Sequence, residues 1–274
     1  MSYNDNLNKK FVVFFDIDGT LIQPNQRPNS YKLSEVIKKI PVQKAVFGLN
    51  SNRSFYDIKN IYQMFALNGP IILENGVYFK KDNKSKNIFL LKNPIKIKAT
   101  TKKMLREFVK TYNLKCDLLF TDTSQLIASN KLKLMPSVIL VNKFREYTGS
   151  MHLYKYGKTD TKLAEKLVKF LNKYFKEHGF NFNVECTKSF GNVIFWPKAI
   201  NKKKALKKLK AFYEGYTFVM IGDDVPDAKT LGEVKFFFAV GNAEKTAKVK
   251  ANFVAKKTYT KGVIEIIHHF KKLL

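Results

Sequence analysis

The chain of 274 residues is long enough for one large domain, or for a core domain with a smaller second domain. Its apolar content of 45% predicts a globular core, whereas no stretch approaches the roughly 20 consecutive apolar residues that cross a membrane. The N-terminus has no apolar signal-peptide region, and the two cysteines, Cys116 and Cys186, form no CxxC pair, so we expect a cytoplasmic protein with reduced thiols.

The net charge of +28 is compatible with a nucleic-acid partner, with a phosphorylated substrate, or with a lysine-rich bias of the whole proteome. The lysines are scattered over every segment. No run of Lys and Arg alternates with aromatic residues, as it does in proteins that bind single-stranded nucleic acid. We therefore give most weight to the compositional bias and expect neither nucleic acid nor a membrane as a partner, although such a charge would attract an anionic substrate.

The first predicted strand is the apolar run Phe11–Phe15, which is typical of a strand buried on both faces of a parallel sheet. It ends at Asp16-Ile-Asp18-Gly-Thr20. Two carboxylates at the end of a buried strand repel each other and lose hydration unless a cation offsets both costs. Hard oxygen ligands suit Mg²⁺, so this stretch predicts a magnesium site, although an Asp-Gly turn alone would have the same sequence.

A helix is predicted at about Ser30–Ile40 and a second buried strand at Lys44–Leu49, followed by Asn50-Ser-Asn-Arg53. The next segment, Ser54–Leu67, has helical periodicity. Ser51 therefore stands between a strand end and a helix N-terminus, where backbone N–H groups can bind a phosphate. A simple N-cap role for Ser51 or Ser54 is the alternative.

After short strands at Ile71–Leu73 and Val77–Phe79, a polar stretch at 80–87 marks a change of pattern, and residues 82–190 are predicted to form an α+β insertion. Asp160 and Gly179 are predicted to cap its long helix. The other predicted helices are Thr100–Tyr112 and one within Thr123–Asn130, and the predicted strands are Cys116–Phe120, Met151–Tyr156, Phe180–Cys186 and Phe190–Trp196, the last two joined as a hairpin through 187–189.

The C-terminal part begins with a helix near Asn201 and a buried strand, Thr217–Gly222, that ends in Asp223, Asp224 and Asp227. A short helix at Ala228–Leu231, a strand at Val234–Val240 and further helices at Ala243–Val249 and Gly262–Leu274 follow. Alternation of strands and helices predicts an α/β fold, with a Rossmann-like parallel-sheet core and an inserted α+β cap domain. The predicted boundaries are 1–81 and 191–274 for the core and 82–190 for the cap.

Four signatures in this order resemble those of the haloacid dehalogenase-like hydrolases. They are Asp16-Ile-Asp18-Gly-Thr, then Ser51-Asn52-Arg53 with Asn in place of the usual glycine, then Lys202 within Ala199-Ile-Asn-Lys-Lys-Lys-Ala-Leu206, and finally Gly222-Asp223-Asp-Val-Pro-Asp227. The insertion between the second and third signatures resembles that of subclass IIB, which has a large α/β cap. Because Lys203 and Lys204 follow Lys202, the register of the third signature allows more than one lysine.

The resemblance implies a Mg²⁺-dependent phosphatase that acts through an aspartyl-phosphate. It implies Asp16 as nucleophile, Asp18 as general acid and base, and Lys202 as the cation that neutralises developing charge. Ser51, Asn52 and Lys202 are the implied phosphate-binding residues. The implied metal-binding residues are Asp16, Asp18, Asp223 and Asp227, with Asp227 alternatively orienting Lys202.

Within the insertion, Phe144-Arg145-Glu146-Tyr-Thr148 is similar to a stretch of the mannosyl-3-phosphoglycerate phosphatase branch, although the usual continuation is absent. Arg145 and Glu146 are therefore implied substrate residues, and a sugar phosphate or a phosphoglycerate-type compound is the implied substrate. A phosphomutase on the same scaffold and a nucleic-acid-binding protein remain the alternatives. The glycine-rich fourth signature expected of a mutase is missing, and the complete catalytic set argues against a vestigial enzyme.

Overall fold

The computed structural model describes residues 10–121, 137–141, 145–155, 158–187 and 192–273. The strands are β1 (Lys10–Phe15), β2 (Ala45–Asn50), β3 (Ile71–Leu73), β4 (Tyr78–Lys80), β5 (Ile88–Phe89), β6 (Asp117–Thr121), β7 (Ser137–Val141), β8 (Gly149–Lys155), β9 (Lys158–Thr159), β10 (Phe182–Thr187), β11 (Asn192–Pro197), β12 (Tyr216–Gly222), β13 (Phe236–Ala239) and β14 (Phe253–Val254). The helices are α1 (Leu33–Lys38), α2 (Phe55–Met64), α3 (Lys98–Thr111), α4 (Thr161–Glu177), α5 (Lys202–Leu209), α6 (Val225–Ala228), α7 (Lys245–Lys250) and α8 (Tyr259–Phe270).

The chain divides into two compact units. The first comprises the described residues through Asn52, then Ile58–Leu90, then Lys202 to the C-terminal helix. The second comprises Leu91–Asn201 together with Arg53–Asp57. An α/β unit formed by both ends of the chain, with an α+β unit inserted into it, agrees with the predicted fold class.

The first unit is built on an eight-stranded sheet with the order β14-β13-β12-β1-β2-β3-β4-β5. The six strands from β14 to β3 are parallel, whereas β4 and β5 each run antiparallel to the preceding strand. β1 lies in the middle, and its Phe15 is level with Leu49 of β2 and Ile221 of β12. The carboxyl ends of these three strands therefore meet at one edge of the sheet, where ligands bind in open α/β folds.

Aromatic side chains on both faces of β1 bury it as the apolar run predicts. On one face Phe15 stacks on Phe47 with a centroid distance of 6.0 Å. On the other face Phe14 meets the edge of Phe218 at 5.4 Å. Such pairs add to the free energy gained from burying the rings themselves. The tight packing holds the end of β1 in a fixed place.

The second unit contains a sheet with the order β10-β11-β8-β7-β6, and β9 pairs with the C-terminal end of β8. Of the strand pairs described in this sheet, β6–β7 alone is parallel. Helices α3 and α4 contribute buried side chains such as Phe108 and Phe175 to the core of this unit, together with Phe195 of β11. The predicted caps of α4 are confirmed: the Asp160 carboxylate accepts a hydrogen bond from Leu163 N at 2.9 Å, and Gly179 has φ +70°.

The strand pairing differs from the predicted domain boundaries at two places. β5 belongs to the first sheet although it follows position 82, and β11 pairs with β10 and β8 although it follows position 191. The units change instead between Leu90 and Leu91 and between Asn201 and Lys202. The helix predicted within 123–130 and part of the 187–189 turn lie outside the described residues.

A third difference concerns the short helix after β12, which begins at Val225 rather than at Ala228. Asp224 caps it by accepting a hydrogen bond from Asp227 N at 2.9 Å, and Pro226 is tolerated because the first helical turn needs no donor there. Among the helices described, none combines the length and apolar character that a membrane span needs.

Candidate active site

Three polar segments follow the parallel strands β1, β2 and β12 at the same edge of the first sheet. Asp16 comes directly after β1 and is 6% exposed, Ser51 comes directly after β2 and is buried, and Asp223 comes directly after β12. The Asp16 N–H donates to Ile221 O at 2.9 Å, so the parallel pairing of β1 with β12 continues up to this residue. The ends of the three strands therefore converge at one edge of the sheet, as the sequence predicts.

Lys202 brings two of the acids together. Its ammonium donates to Oδ1 of Asp16 and to Oδ1 of Asp227, each at 2.7 Å, and all three side chains are buried. Lys202 is the first residue of α5, so the helix presents this side chain from a position fixed by its buried neighbours Ala205 and Leu206. Of the three consecutive lysines, Lys202 is thus the one that contacts Asp16.

A second set of hydrogen bonds fixes Asp223 and Asp227. Thr20 Oγ1 donates to Oδ1 of Asp223 at 2.6 Å, which ties the turn after β1 to the end of β12. Asp227 Oδ2 accepts the backbone N–H of Asp223 at 3.2 Å. Both oxygens of Asp227 are therefore occupied, one by Lys202 and the other by this backbone group.

Two glycines make the close approach of these segments possible. A Cβ on Gly19 would overlap the carboxylate of Asp223, and a Cβ on Gly222 would overlap that of Asp227. Gly19 also has φ +89°, a backbone conformation that residues other than glycine rarely adopt. The glycine of the first signature is thus required by its contact with the fourth signature, and Gly222 is required by a contact within the fourth signature.

The electrostatics of the cluster are dominated by burial. Burial raises the pKa of Asp16 to about 6, against the opposing effect of Lys202, and Asp224 and Asp18 raise it further. Burial also raises the pKa of Asp223 and of Asp227 well above the usual value. For Lys202, burial acts to lower the pKa, but Asp16 and Asp227 outweigh it and raise the pKa well above the usual value. Lys202 is therefore positively charged at neutral pH.

The residues fit a divalent cation. Carboxylate oxygens of Asp16, Asp223 and Asp227 lie within 4.8 Å of one another. When all three carboxylates are ionised, they and the ammonium carry an excess of two negative charges, which one Mg²⁺ would neutralise. Oδ2 of Asp16 and Oδ2 of Asp223 accept no hydrogen bond from any described residue, and hard oxygen donors of this kind suit Mg²⁺.

Asp18, the fourth predicted metal-binding residue, lies outside this cluster of three carboxylates within the described part of the chain. It sits in the turn after β1, where the N–H groups of Leu21 and Ile22 donate to Ile17 O, and its side chain is exposed. An exposed carboxylate next to the buried Asp16 can exchange a proton with solvent, which the buried acids cannot do as readily.

Ser51 and Asn52 continue the chain from β2 at the same edge. The Ser51 N–H donates to Ile72 O at 3.1 Å, and its carbonyl accepts the N–H of Asn75 at 3.2 Å. Glu74 and Asn75 have φ +45° and φ +58°, and both side chains are buried. The tight turn at Glu74–Gly76 thus locks the backbone of Ser51 in place.

Arg145 and Glu146 belong to the second unit. Arg145 is buried and its Nη1 donates to Thr148 Oγ1 at 3.3 Å. Glu146 forms an ion pair with Lys96 at 2.9 Å, and its carbonyl accepts the N–H of Ile97 at 2.7 Å. These contacts all lie within the second unit, and the role of the two residues towards a substrate stays a prediction.

Two residues near the acids were not given a role from the sequence. Thr20 belongs to the first signature, yet its bond to Asp223 spans 203 positions and no local pattern indicates it. Asn242 donates from Nδ2 to Gly19 O at 2.7 Å and accepts the N–H of Tyr259 at 2.8 Å. It joins the turn after β1 to the start of α8, and the Gly-Asn-Ala sequence after β13 was the available signal.

Comparison with known proteins points in the same direction as this geometry. A family model described as haloacid dehalogenase-like hydrolase matches residues 13–267. A candidate phosphatase of Mycoplasma genitalium is 26% identical over 259 residues, which cover 89% of this chain and 92% of that protein. A phosphoglycolate phosphatase of Sulfolobus acidocaldarius is 24% identical over 260 residues, covering 93% and 94%.

Among solved structures, a haloacid dehalogenase-like hydrolase from Bacteroides thetaiotaomicron has a TM-score of 0.68. The match covers 96% of this chain and 100% of that one at 19% sequence identity. At this identity the likeness shows a shared fold. It extends over both units of the chain, including the inserted one.

Proposed function

Because the chain belongs to the haloacid dehalogenase-like hydrolases, we propose that it is a Mg²⁺-dependent phosphatase which hydrolyses a small phosphomonoester through an aspartyl-phosphate. The observation that carries the proposal is the contact of the buried Lys202 ammonium with both Asp16 and Asp227 at the carboxyl edge of the sheet. A buried cation beside a strand-end carboxylate reduces the repulsion that an incoming phosphate would otherwise meet.

Asp16 is the proposed nucleophile. A carboxylate oxygen of Asp16 attacks phosphorus, the bond from phosphorus to the ester oxygen breaks, and Asp18 donates a proton to the departing alcohol. In the second step Asp18 accepts a proton from water while the water oxygen attacks phosphorus, and the bond from phosphorus to Asp16 breaks. The exposure of Asp18 supports this exchange of protons.

Lys202, Ser51 and Asn52 are the proposed phosphoryl-binding residues. Lys202 keeps its positive charge because the two carboxylates raise its pKa, so it can neutralise charge on the phosphoryl oxygens. Ser51 and Asn52 lie between β2 and α2, where free N–H groups of a helix start favour an anion.

Asp16 and Asp223 are the proposed metal-binding side chains, together with the backbone of Asp18. When bound, Mg²⁺ would supply charge neutralisation for the transferred phosphoryl group. Asp227 has both oxygens engaged, which favours a role in orienting Lys202 rather than in direct binding of the metal.

The second unit is the proposed source of substrate selection. Arg145 and Glu146 are the proposed substrate residues of this unit, and a sugar phosphate or a phosphoglycerate-type compound is the proposed substrate. The Sulfolobus acidocaldarius relative is named as a phosphoglycolate phosphatase, so 2-phosphoglycolate joins the candidate substrates. A screen of phosphorylated metabolites with Mg²⁺ that reads released phosphate would rank them and would also separate hydrolysis from isomerisation by a mutase.

The decisive test is hydrolysis of p-nitrophenyl phosphate with Mg²⁺ by the whole protein and by Asp16→Asn. We expect the substitution to abolish turnover, since an amide cannot form the aspartyl-phosphate, and we expect EDTA to abolish it in the unchanged protein. Asp82→Asn is the matched control, because Asp82 is exposed and its carboxylate accepts the backbone N–H groups of Lys84 and Ser85 in its own turn. Unchanged turnover of Asp16→Asn would refute the mechanism.

A further inference from the structure

Asn50 is a polar residue in a place where apolar residues are the norm. It is the last residue of β2, an interior strand of a parallel sheet, and it is 0% exposed. Neither its Nδ2 nor its Oδ1 has a hydrogen-bond partner among the described residues. Asparagine is depleted in strands, and the great majority of buried amides are paired, so both atoms of this carboxamide need an explanation.

The strand register places Asn50 beside Asp16. Phe15 is level with Leu49, so the next residues of the two strands, Asp16 and Asn50, are level as well. The rings of Phe15 and Phe47 stack on one face of the sheet, and side chains alternate along a strand. Asp16 and Asn50 therefore share the opposite face, with about 5 Å between neighbouring strands.

The backbone around Asn50 is held by hydrogen bonds and strand pairing. Ser51, the next residue, donates its N–H to Ile72 O and accepts the N–H of Asn75, so its peptide groups are held on the side of β3. Asn50 itself is paired with Ile72 in the sheet register. A carboxamide held in this way pays the free-energy cost of lost hydration in the free protein without gaining a hydrogen bond.

We propose that the buried carboxamide of Asn50 is a further phosphoryl-binding group of the active site, its Nδ2 donating to an oxygen of the phosphoryl group that Asp16 receives. The contact is direct or passes through one ordered water, to which Oδ1 can act as acceptor. This inference rests on the proposed phosphatase function. The hydration that the carboxamide loses in the free protein is then compensated only when a phosphate oxyanion is bound. The Asn50 side chain therefore stabilises the phosphate-bound state relative to the free protein.

The experiment measures two properties of Asn50→Leu, a variant close to asparagine in shape without its polar atoms. The first is the melting temperature of the free protein, and the second is the affinity for inorganic phosphate with Mg²⁺ present, measured by calorimetry. We expect the melting temperature to stay the same or rise, because an unpaired polar group is removed from an interior strand. We expect the phosphate affinity to fall at least about tenfold, because a hydrogen bond to a charged group is lost.

Asn252→Ala is the matched control, since Oδ1 of Asn252 accepts the N–H of Phe237 at 2.9 Å beside β13. It should lower the melting temperature and leave the phosphate affinity unchanged. Asn50→Ala repeats the test should leucine not fit. A lower melting temperature of both Asn50 variants with unchanged phosphate affinity would mean that the amide is satisfied by an internal water and would overturn the proposal.

Failure of this inference is distinguishable from failure of the phosphatase assignment. If the unchanged protein hydrolyses p-nitrophenyl phosphate and both Asn50 variants bind phosphate as it does, only the role of Asn50 is refuted. If the unchanged protein neither hydrolyses the ester nor binds phosphate, the phosphatase function fails and the role of Asn50 fails with it.

Discussion

Lys202 shows how far a single residue can be assigned before its contacts are known. Three consecutive lysines leave the register of the third signature open. The buried residues of α5 are Lys202, Ala205, Leu206 and Leu209, which follow helical spacing, so this periodicity already favours Lys202 as the inward lysine. The periodicity gives only the face of the helix, however. The contact with Asp16 depends on a partner 186 positions away.

Substitution of the two neighbouring lysines should separate their roles. We expect Lys202→Met to lower kcat at least about 100-fold, the usual loss when one group that stabilises transition-state charge is removed. We also expect a lower melting temperature at pH 8, because Asp16 and Asp227 lose their buried counter-charge. The measurements are steady-state kinetics on p-nitrophenyl phosphate and thermal unfolding.

Lys203→Met is the matched control, since the Lys203 side chain is exposed and its ammonium donates to Leu231 O at 2.8 Å. Its kcat should equal that of the unchanged protein. A comparable loss of kcat in both variants would show that the contact of Lys202 with Asp16 is not what supports turnover.

The acids and glycines of the first and fourth signatures were predictable because each signature is contiguous. Asp16 and Asp223 were both identified from apolar strands that end in carboxylates. What the sequence could not supply is the reason for Gly19 and Thr20, since both act on Asp223 across some 200 positions. Asn50 went unassigned for a related reason, because only the pairing of β1 with β2 brings it level with Asp16.

Among the secondary-structure elements, long periodic ones were predicted well and short ones were not. β1, β2 and β12 are continuous apolar runs, and α4 carries both of its predicted caps. The start of α6 was misplaced by three residues, although Asp224 followed by Val-Pro is a capping pattern that favours an earlier start. The two-residue strand β5 and the assignment of β11 depend on pairing with distant strands, which local sequence does not encode.

The α2 helix offers a test of element-level stability that is independent of catalysis. The hydroxyl of Tyr62 donates to Gly69 O at 2.9 Å and so ties α2 to the segment that leads into β3. Burial raises the pKa of Tyr62 well above its usual value, with Asp82 and Tyr213 adding to the rise. In the unfolded chain the same phenol ionises from about pH 10.

The sign of the pH effect follows from these two states. Below pH 10 the phenol of Tyr62 is neutral in both the folded and the unfolded protein, and its hydrogen bond stabilises the fold. Tyr62→Phe should therefore lower the free energy of unfolding by about 1 kcal/mol. Above pH 10 only the unfolded chain ionises, so the unchanged protein loses stability that Tyr62→Phe does not lose. The difference between the two proteins should shrink, as measured by urea unfolding from pH 8 to pH 11.

The exposed Tyr31 provides the control for general alkaline destabilisation, and Tyr31→Phe should follow the unchanged protein at every pH. A gap between Tyr62→Phe and the unchanged protein that is constant from pH 8 to pH 11 would contradict the role of burial. The bond from Tyr62 to Gly69 would then act as an ordinary hydrogen bond without linkage to ionisation.

At the scale of the whole molecule, alternation of strands and helices predicted the parallel sheet and its inserted unit, because hydrophobic period and element length are local properties. The order of the strands is not a local property, since β1 pairs with β12 although the insertion separates them in the sequence. The family match over residues 13–267 confirms the resemblance drawn from the four signatures. None of these patterns identifies the substrate.

The charge of +28 gives the last expectation, which concerns association rather than chemistry. An excess of positive charge over the whole molecule attracts a phosphate ester from a distance, and salt screens that attraction as the Debye length falls from about 30 Å at 0.01 M to about 3 Å at 1 M. We therefore expect kcat/KM for p-nitrophenyl phosphate to fall steadily over this range of ionic strength while kcat changes little.

Potassium chloride and potassium acetate should act alike, because screening depends on ionic strength; an effect specific to one anion would indicate competition for the site. A value of kcat/KM that is constant throughout would mean that the lysines, scattered as they are, produce no net attraction at the active site, and the charge would then reflect composition alone.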